Sequence, residues 1–523
     1  MQSTRRTFIR QIGFATAGLG ILSECQPCWA ASGSTLPHST PEAQGISSKA
    51  ILEFLDVAAK KHIELHGFVL VRHGHVIAEG WWQPYAKNLN HSLYSMSKSF
   101  TSTAVGLAAS EGRLTVNDPV ISFFPEFLPQ TISDNLKALK IKDMLSMSVG
   151  HAQDSTGSIV HEDNWVKAFL ALPIPNKPGT TFVYNSGATY MCSAIVQKVT
   201  GEKIIDYLTP RLFKPLGIRG MTWETCPRGI NTGGWGLSVP TEALAKFGQL
   251  YLQKGLWQGK QIIPTRWVEE ATSFKIQQPL PAENPEKARE NSDWLQGYCY
   301  QFWRARHNAY RGDGAFGQYT IVMPDQDAVF AAHCETNDMQ AEQNLLWDIL
   351  LPAMKNTPLP EDPVNQKELK AALASLKIAP LLGAIKSTAA ANLSGKTFKF
   401  DDNKMGFQEI RFDFTSKSVG TFTLTTTTRG TQIVRFGLAN WVLGTTGLIP
   451  PTLVATEKIK SPDKSRIAAC GFWKDDQTLE MRWQFYDTPH HDSVLCRFEN
   501  GKLTLSLKTS LGEQWPDLTA HSA

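Results

Sequence analysis

A helix-like segment opens with Ser95-Met96-Ser97-Lys98 and continues to Glu111, where Gly112 is placed to end it. Residues three apart lie on the same face of a helix, so the Lys98 amine can reach the Ser95 hydroxyl. A serine in the first turn also lies at the positive end of the helix dipole, which favours a developing alkoxide. The lysine acts as a base only when burial or nearby charge lowers its pKa, and the apolar residues around the pair are compatible with burial. The stretch therefore predicts a serine nucleophile activated by a lysine.

The Ser-x-x-Lys pattern occurs a second time, at Ser461-Pro462-Asp463-Lys464. Proline and aspartate at its two central positions favour a polar turn, and no suitable tyrosine or oxyanion motif follows. For any single match, an N-capping serine beside a solvated lysine is the simpler interpretation. Ser95 is preferred over Ser461 because two further motifs accompany it.

The first accompanying motif is Phe182-Val183-Tyr184-Asn185-Ser186-Gly187, directly after Pro178-Gly179-Thr180-Thr181. A tyrosine on a loop that faces a Ser-Lys pair can take a proton from the nucleophile and give it to the leaving group. The alternative is a packed tyrosine at the start of a helix, with Ser186 as the N-cap. The motif makes Tyr184 a candidate for proton transfer.

The second accompanying motif is Gly312-Asp313-Gly314-Ala315-Phe316-Gly317-Gln318, which leads into a predicted strand. Glycines at the edge of a strand let a substrate backbone or acyl group approach closely. A backbone N–H in this motif can complete an oxyanion hole together with the N–H of Ser95. A Gly-rich turn without a catalytic role is the alternative.

In this order, the three motifs resemble those of the serine β-lactamase and penicillin-binding-protein superfamily. The chain looks most like the class C branch with its esterase and amide-hydrolase relatives. The resemblance covers roughly residues 45–354 and includes four supporting phrases, at residues 145–150, 178–186, 247–252 and 262–268.

The resemblance implies that Ser95 is the acylated nucleophile, Lys98 its activating partner and Tyr184 the general base and acid. The N–H groups of Ser95 and Ala315 would form the oxyanion hole. Substrate contacts and the oxyanion hole are expected at four further positions: Ser186, Asp313, Gly314 and Ala315. The mechanism calls for no cofactor and no metal ion.

Two positions depart from the β-lactamase pattern. Ser186 stands where β-lactamases usually have asparagine, and Gly312-Asp313 stands where they have Lys-Thr. A substrate carboxylate about 4 Å from Asp313 would be repelled by on the order of 4 kcal/mol. The repulsion would be relieved only if a nearby arginine supplied a positive charge, the candidates being Arg304, Arg306 and Arg311. We therefore expect neutral esters or amides to be better substrates than β-lactams.

The function predicted from these residues is that of an exported serine hydrolase, which cleaves ester or amide bonds of small molecules or short peptides through an acyl-enzyme. A D-Ala-D-Ala carboxypeptidase or a β-lactamase is the alternative among enzymes. A non-catalytic, cell-wall-binding scaffold is the alternative from another class.

Hydrophobic periodicity predicts an α+β fold with an antiparallel sheet flanked by helices and a helical lobe. Residues 47–64 read as a helix and 68–80 as a hairpin, while a second hairpin at 318–333 precedes a helix at 339–354. Beyond Gly395 apolar residues alternate with period two, which is typical of an antiparallel β-sandwich or barrel. This β-rich part is interpreted as a lid, substrate rim or packing module. The predicted divisions are a signal peptide (1–31), a hydrolase domain (32–356), a linker with a helix (357–394) and a β-rich domain (395–523).

The N-terminus has the form of a twin-arginine export signal, with Arg5 and Arg6 before an apolar run at residues 12–22. Eleven residues are too few to span ~30 Å of hydrocarbon, which argues against a membrane anchor. A lipoprotein signal at Cys25 is a second alternative, but Glu24 fits a lipobox poorly. We expect a periplasmic or secreted protein without stable membrane insertion after the signal is removed.

The 523 residues carry a formal net charge of only +4, part of it in the N-terminal signal. A mature chain close to neutral gives no basic surface for nucleic acid, so the expected partner is a small-molecule ester, amide or peptide. Six cysteines lie beyond the signal at irregular spacings, and most of them are expected to be small buried apolar residues.

Overall fold

A computed structural model of the chain describes residues 35–414, 416 and 418–523. The predicted signal peptide, residues 1–31, lies outside the described residues. Among the described helices, none combines the length and the apolarity needed to cross a bilayer.

The helices of the described residues are α1 Ser48–Lys60, α2 Ser97–Ser110, α3 Asp134–Ala138, α4 Ile141–Leu145, α5 Thr156–Ile159, α6 Trp165–Ala171, α7 Ser186–Thr200, α8 Ile204–Leu208, α9 Thr241–Leu252, α10 Thr265–Thr272, α11 Pro285–Asn291, α12 Met339–Leu345, α13 Leu351–Ala353, α14 Pro363–Ala374 and α15 Thr388–Leu393. The strands are β1 Glu64–Arg72, β2 His75–Trp81, β3 His91–Ser92, β4 Thr222–Trp223, β5 Leu237–Val239, β6 Leu256–Trp257, β7 Lys260–Gln261, β8 Trp303–Arg304, β9 Tyr310–Gly314, β10 Gln318–Met323, β11 Ala328–Glu335, β12 Thr397–Phe400, β13 Phe407–Asp413, β14 Val419–Thr426, β15 Gly430–Leu438, β16 Val442–Thr446, β17 Ser465–Trp473, β18 Thr478–Gln484, β19 His491–Glu499, β20 Lys502–Thr509 and β21 Leu518–Ser522.

The larger sheet of the N-terminal part is antiparallel, with strand order β2-β1-β11-β10-β9-β8. Helices cover both of its faces, so β10 is buried at every position rather than alternating. In β1, Phe68 and Leu70 pack with α1 on one face, while Val69 and Val71 join the core shared with α2 and α9 on the other. The antiparallel sheet between helices and the helical lobe beside it (α3–α8), which were predicted from the sequence, are confirmed.

The C-terminal helix of this part is less regular than expected. The sequence predicts one amphipathic helix over 339–354, whereas the structure has α12, a wider π-helical turn at Leu346–Leu350, and α13. Pro352 has no N–H with which to continue the α-helical ladder, which accounts for the irregular turn before it.

The C-terminal part is a β-barrel, which decides between the two forms predicted from its alternation. Ten strands follow the order β15-β14-β13-β12-β21-β20-β19-β18-β17-β16. A short parallel pairing between β15 and β17, at Gly437↔Cys470, closes the sheet. The inward residues of each strand form a separate apolar core; in β14 these include Phe422 and Leu424.

The barrel is joined to the hydrolase part by buried and half-buried polar contacts. The Tyr85 hydroxyl donates to the Thr488 carbonyl at 2.9 Å and accepts from Gln484 Nε2 at 2.8 Å. Arg482 of β18 donates to the Glu64 carboxylate of β1 at 2.8 Å. Because these contacts lie at one end of the large sheet, the barrel stands beside the predicted catalytic motifs.

All six described cysteines are buried and free. They lie in the apolar interior as small side chains, as the sequence predicts for most of them.

Candidate active site

Ser95 lies in a short 3-10 turn, Tyr94–Met96, that leads directly into α2. The sequence predicts that Ser95 lies in the first turn of the α-helix. In the structure it lies two residues before the helix begins, at Ser97. Ser97 anchors this turn, because its hydroxyl donates to the Tyr94 carbonyl at 2.7 Å and accepts from the Leu237 N–H at 3.1 Å. Ser95 itself is partly exposed, so its hydroxyl is accessible to substrate.

Lys98 brings its amine to the Ser95 hydroxyl, as its spacing predicts. The side chain is 1% exposed, and Nζ lies 3.0 Å from Ser95 Oγ, 3.0 Å from Ser186 Oγ and 2.7 Å from the Gly234 carbonyl oxygen. As an ammonium ion, Lys98 donates to all three oxygens. As a free amine, it donates to Gly234 and Ser186, and its lone pair is left to accept the Ser95 O–H.

Burial lowers the pKa of Lys98 from its ordinary value of 10.5 to about 7. The carboxylates of Asp154 and Asp313 act in the opposite direction and keep the shift from being larger. A substantial fraction of the lysine is therefore neutral near physiological pH, which a general base requires.

Tyr184 also borders this pair, with its ring centroid 4.8 Å from Lys98 Nζ. The ring stacks on Trp303 at 5.6 Å and meets Tyr298 edge-on at 6.3 Å. Burial raises the pKa of Tyr184 well above its usual value, although a hydrogen bond with Ser95 lowers it in part. The phenol is therefore protonated at neutral pH and is a proton donor rather than a base in the free protein.

Helix α7 positions Ser186. The alternative interpretation of the Tyr184 motif made Ser186 the N-cap of this helix, and that assignment is wrong. Asn185, not Ser186, is the N-cap, and its side chain accepts from the Ala188 N–H at 3.1 Å. Asn185 is fully buried and also accepts from the Ser155 hydroxyl at 2.7 Å. The Ser186 hydroxyl is thereby free to contact Lys98, while its N–H donates to Asp154 at 3.0 Å.

The glycines of β9 lie against the residues around Ser95. A Cβ at Gly314 would lie 2.1 Å from the Leu93 carbonyl oxygen, and one at Gly312 would lie 2.0 Å from the Met96 sulfur. The sequence analysis expected a substrate to approach these glycines closely. In the structure, Leu93 and Met96 of the protein itself approach them instead. Ala315 follows directly, in the turn between β9 and β10, and is partly exposed next to Ser95's turn.

Asp313 is not the uncompensated charge expected from the sequence. Its carboxylate accepts from Arg311 Nε at 2.8 Å, and both side chains are nearly or fully buried. The two residues alternate along β9, so their side chains leave the same face of the strand. Repulsion of a substrate carboxylate by Asp313 is therefore largely cancelled by Arg311.

The three arginines considered as compensating charges are all committed elsewhere. Arg311 donates to two backbone carbonyls in addition to Asp313. Arg306 pairs with the buried Asp293 at 2.9 Å, and Arg304 donates to the Asn308 side chain at 2.7 Å. The charges of Arg306 and Arg311 are thus paired with aspartates, whereas Arg304 has only the neutral Asn308 as its partner.

Three functional contacts escaped the sequence reasoning. Gly234 and Asp154 both act on Lys98 or its neighbour Ser186, and Asn185 holds the start of α7. Asn185 lies inside the quoted Tyr184 motif, so its capping position was readable. Gly234 and Asp154 lie on loops far along the chain, and only the tertiary structure brings them to the lysine.

The second Ser-x-x-Lys match lies on the surface, in the loop between β16 and β17. Ser461 and Lys464 are exposed, and the Ser461 hydroxyl donates to Glu224 Oε1 at 3.0 Å. This placement agrees with the polar turn predicted for these residues.

Within the part of the chain that the structure describes, one group of residues has the donor atoms for a metal ion. Glu64, His66 and Glu335 offer ligand atoms within 4.8 Å of one another. The Arg482 guanidinium donates to Glu64 at 2.8 Å, and two histidines of the barrel contact the Glu335 carboxylate. The carboxylates thus already have cationic or N–H partners, and this group is better described as an interface network than as a metal site.

The chain is similar to several known proteins. The Beta-lactamase family description matches residues 57–353. The 6-aminohexanoate-dimer hydrolase of Paenarthrobacter ureafaciens is 27% identical over 282 residues, which span 50% of this chain and 70% of that protein. Protein flp of Staphylococcus aureus (strain MW2) is 27% identical over 179 residues, 32% of this chain and 36% of that protein. The octameric penicillin-binding protein homologue from Pyrococcus abyssi aligns with a TM-score of 0.45 at 14% identity, over 90% of this chain and 99% of that chain.

The fold and the family match define the class of protein: the chain belongs to the β-lactamase family, within the serine β-lactamase and penicillin-binding-protein superfamily. It is a serine hydrolase.

Proposed function

We propose that this hydrolase cleaves neutral esters and small amides through an acyl-enzyme formed on Ser95. The observation that carries the proposal is the position of Lys98, whose buried amine lies 3.0 Å from Ser95 Oγ and has a pKa of about 7. A partly exposed serine beside a lysine that is neutral in part near pH 7 is a preformed nucleophile and base.

Acylation begins when neutral Lys98 accepts the Ser95 proton as Oγ bonds to the substrate carbonyl carbon. The carbonyl oxygen becomes an oxyanion that accepts hydrogen bonds from the N–H groups of Ser95 and Ala315. As the ester or amide bond breaks, Tyr184 donates its proton to the departing alcohol or amine, and Lys98 returns the serine proton to Tyr184. Deacylation repeats these transfers with water as the nucleophile.

This scheme changes one role expected from the family resemblance. Tyr184 was expected to be both base and acid, but its raised pKa favours the acid role alone in the first step. Lys98 is the group whose pKa lies near working pH, so we assign the base to Lys98 and the proton shuttle to Tyr184.

The substrate class follows from the charges around the site. Arg306 and Arg311 are paired with Asp293 and Asp313, so neither brings a net positive charge to a substrate carboxylate. This favours neutral esters or amides over β-lactams and D-Ala-D-Ala peptides, which carry such a carboxylate. Cleavage of an amide bond is supported by the relative named 6-aminohexanoate-dimer hydrolase. The dimer in that name carries a carboxylate, so the preference for neutral substrates rests on the charges of this chain alone.

The chain is proposed to act in the periplasm or outside the cell. Support comes from the twin-arginine pattern at Arg5 and Arg6. Replacing both arginines by lysine should retain the protein in the cytoplasm of a host with a twin-arginine translocase. Export of the double variant at the wild-type level would contradict this route.

The function is tested by measuring kcat/KM for a p-nitrophenyl acyl ester and a p-nitroanilide of a short acyl group. We expect Lys98→Ala to lose turnover. The control is the Ser461→Ala, Lys464→Ala double variant, which removes the same motif from the surface and should keep turnover. A loss of more than about tenfold in the control, or none in Lys98→Ala, would contradict it. Absence of turnover with every ester and amide would instead favour the non-catalytic scaffold.

A further inference from the structure

The two N–H groups assigned to the oxyanion hole lie beside residues with unusual backbone conformations. Tyr94, directly before Ser95, has φ +47°, and Phe316, directly after Ala315, has φ +66°. Bulky residues other than glycine seldom adopt left-handed conformations, and they keep them where the surrounding structure enforces them. The conformation of Tyr94 matters directly, because the peptide that joins it to Ser95 carries the Ser95 N–H.

The side chains of Tyr94 and Phe316 meet on a histidine of the β-barrel. Their rings pack on each other, with centroids 5.6 Å apart, and both pack on His490, at 5.6 Å and 4.7 Å. The Tyr94 hydroxyl lies 2.6 Å from His490 Nε2. His490 is therefore the one side chain of this three-ring cluster that comes from the barrel.

His490 is in turn held from its other side. Its Nδ1 lies 2.9 Å from Glu335 Oε1 and 3.1 Å from the Ser510 hydroxyl, and the ring is fully buried. Burial lowers the pKa of His490, so the imidazole is neutral at pH 7. Nδ1–H then donates to the Glu335 carboxylate, which leaves Nε2 to accept from the Tyr94 hydroxyl.

We propose that His490 is a positioning residue for the oxyanion hole, through which the barrel fixes the turns that hold Ser95 and Ala315. The inference rests on the proposed function, and it makes the barrel part of the hydrolytic apparatus. His490 does not touch the reacting atoms. It acts through Tyr94 and Phe316, whose left-handed conformations it braces by a hydrogen bond and ring packing.

The proposal is tested in the full-length chain with His490→Phe, which keeps a ring and removes the hydrogen bond to Tyr94. We expect kcat for the p-nitrophenyl ester to fall by roughly tenfold to a hundredfold with KM within about threefold, because misplaced donors weaken transition-state stabilisation more than binding. The matched control is His491→Phe. His491 also contacts Glu335, at 3.0 Å, and is the next residue along the barrel. Its replacement should leave kcat within about threefold of wild type.

A second variant approaches the same hydrogen bond from the other side and does not depend on how His490→Phe folds. Tyr94→Phe removes the hydroxyl and should lower kcat to a similar extent. The Tyr94→Phe, His490→Phe double variant should be no slower than the worse single variant, since both remove one interaction. Thermal unfolding of each variant separates a loss of kcat from a loss of folded protein.

Wild-type kcat in Tyr94→Phe would overturn the inference, as would equal losses in the His490 and His491 variants or additive losses in the double variant. A wild-type chain that neither turns over an ester nor reacts with a phosphonate would overturn the proposed function, and this inference with it. A reactive wild type with equally reactive Tyr94 and His490 variants would overturn the inference alone.

Discussion

At the scale of single residues, two opposing effects determine the pKa of Lys98: burial of its charge and attraction by two carboxylates. Burial is the larger effect and lowers the pKa to about 7, while Asp154 and Asp313 oppose it. A lysine fully exposed at the same spacing from Ser95 would stay protonated and inert. The environment of the pair, more than the Ser-x-x-Lys spacing, therefore decides whether the pattern is catalytic.

The first prediction concerns pH. The rate at which a fluorophosphonate phosphonylates Ser95, with release of fluoride, should rise about tenfold per pH unit below pH 7 and level off above it, because the reactive form requires neutral Lys98. The dependence of the labelling rate on pH is measured by quenching the reaction at fixed times between pH 5 and pH 9. A profile that is flat across this range, or one that falls as the pH rises, would exclude Lys98 as the base.

The second prediction separates proton transfer from packing at Tyr184. Tyr184→Phe keeps the ring against Trp303 and removes only the hydroxyl. We expect kcat to fall by about 10²–10⁴ with little change in KM, the range typical of a lost proton-transfer group. If steady-state kinetics gave a wild-type kcat for the variant, Tyr184 would be a packing residue alone.

At this scale, contacts between residues close in the sequence could be predicted, and contacts between distant residues could not. The contact of Ser95 with Lys98 follows from residues three apart near the start of a helix, and the structure has it at 3.0 Å. The third partner of the amine, the Gly234 carbonyl, has no side chain to identify it and comes from a distant loop. The pairing of Asp313 with Arg311 was within reach, since alternate residues of a strand share a face.

At the scale of elements, strand β9 packs closely against the turn that contains Ser95, Tyr94–Met96. Position 314 has no room for a side chain, because a Cβ there would lie 2.1 Å from a backbone carbonyl oxygen. This close approach fixes the distance between Ser95 on one element and Ala315 on the other.

The third prediction follows from that close approach. Gly314→Ala should destabilise the protein by about 1–3 kcal/mol, as overpacking usually does, and should lower kcat because the turn must move. Gly157→Ala is the matched control, since a Cβ at that position meets nothing within 4 Å. Urea unfolding and ester turnover measure the two effects. Unchanged values in Gly314→Ala would show that the two elements are not so tightly coupled.

Most elements of the hydrolase part could be predicted from periodicity, including both hairpins and the helix after Ser95. The exceptions have local physical causes. The helix expected over 339–354 is interrupted before Pro352, and Ser95 lies in a 3-10 turn instead of the α-helix. Alternation alone could not distinguish a sandwich from a barrel, because closure depends on a pairing between β15 and β17 that no local pattern encodes.

At the scale of the whole molecule, the barrel contributes to the surroundings of the site. Residues of its loops contact the hydrolase part at Tyr94, through His490, and at Glu224, through Ser461. These contacts show that the barrel packs against the hydrolase part, and its role as a lid, substrate rim or packing module stays a prediction. The domain boundaries at residues 356 and 394 remain predictions, as does the export signal.

The fourth prediction concerns substrate class. Pairing with Arg311 weakens the repulsion that Asp313 exerts on an anion, but Arg311 and Arg306 are both paired with aspartates and bring no net positive charge to a carboxylate. We therefore still expect a higher kcat/KM for a short p-nitrophenyl acyl ester than for a chromogenic cephalosporin. A higher value for the cephalosporin would make the β-lactamase alternative the better description.

The central claim is that Ser95 is the nucleophile, and intact-mass spectrometry after incubation with a fluorophosphonate tests it most directly. The wild-type chain should gain the mass of one adduct, which peptide mapping places on Ser95. The Ser95→Ala variant should gain none while it unfolds at a similar temperature, because the substitution removes a single hydroxyl from a partly exposed side chain. An adduct on the Ser95→Ala variant, or an unlabelled wild-type chain, would contradict the account.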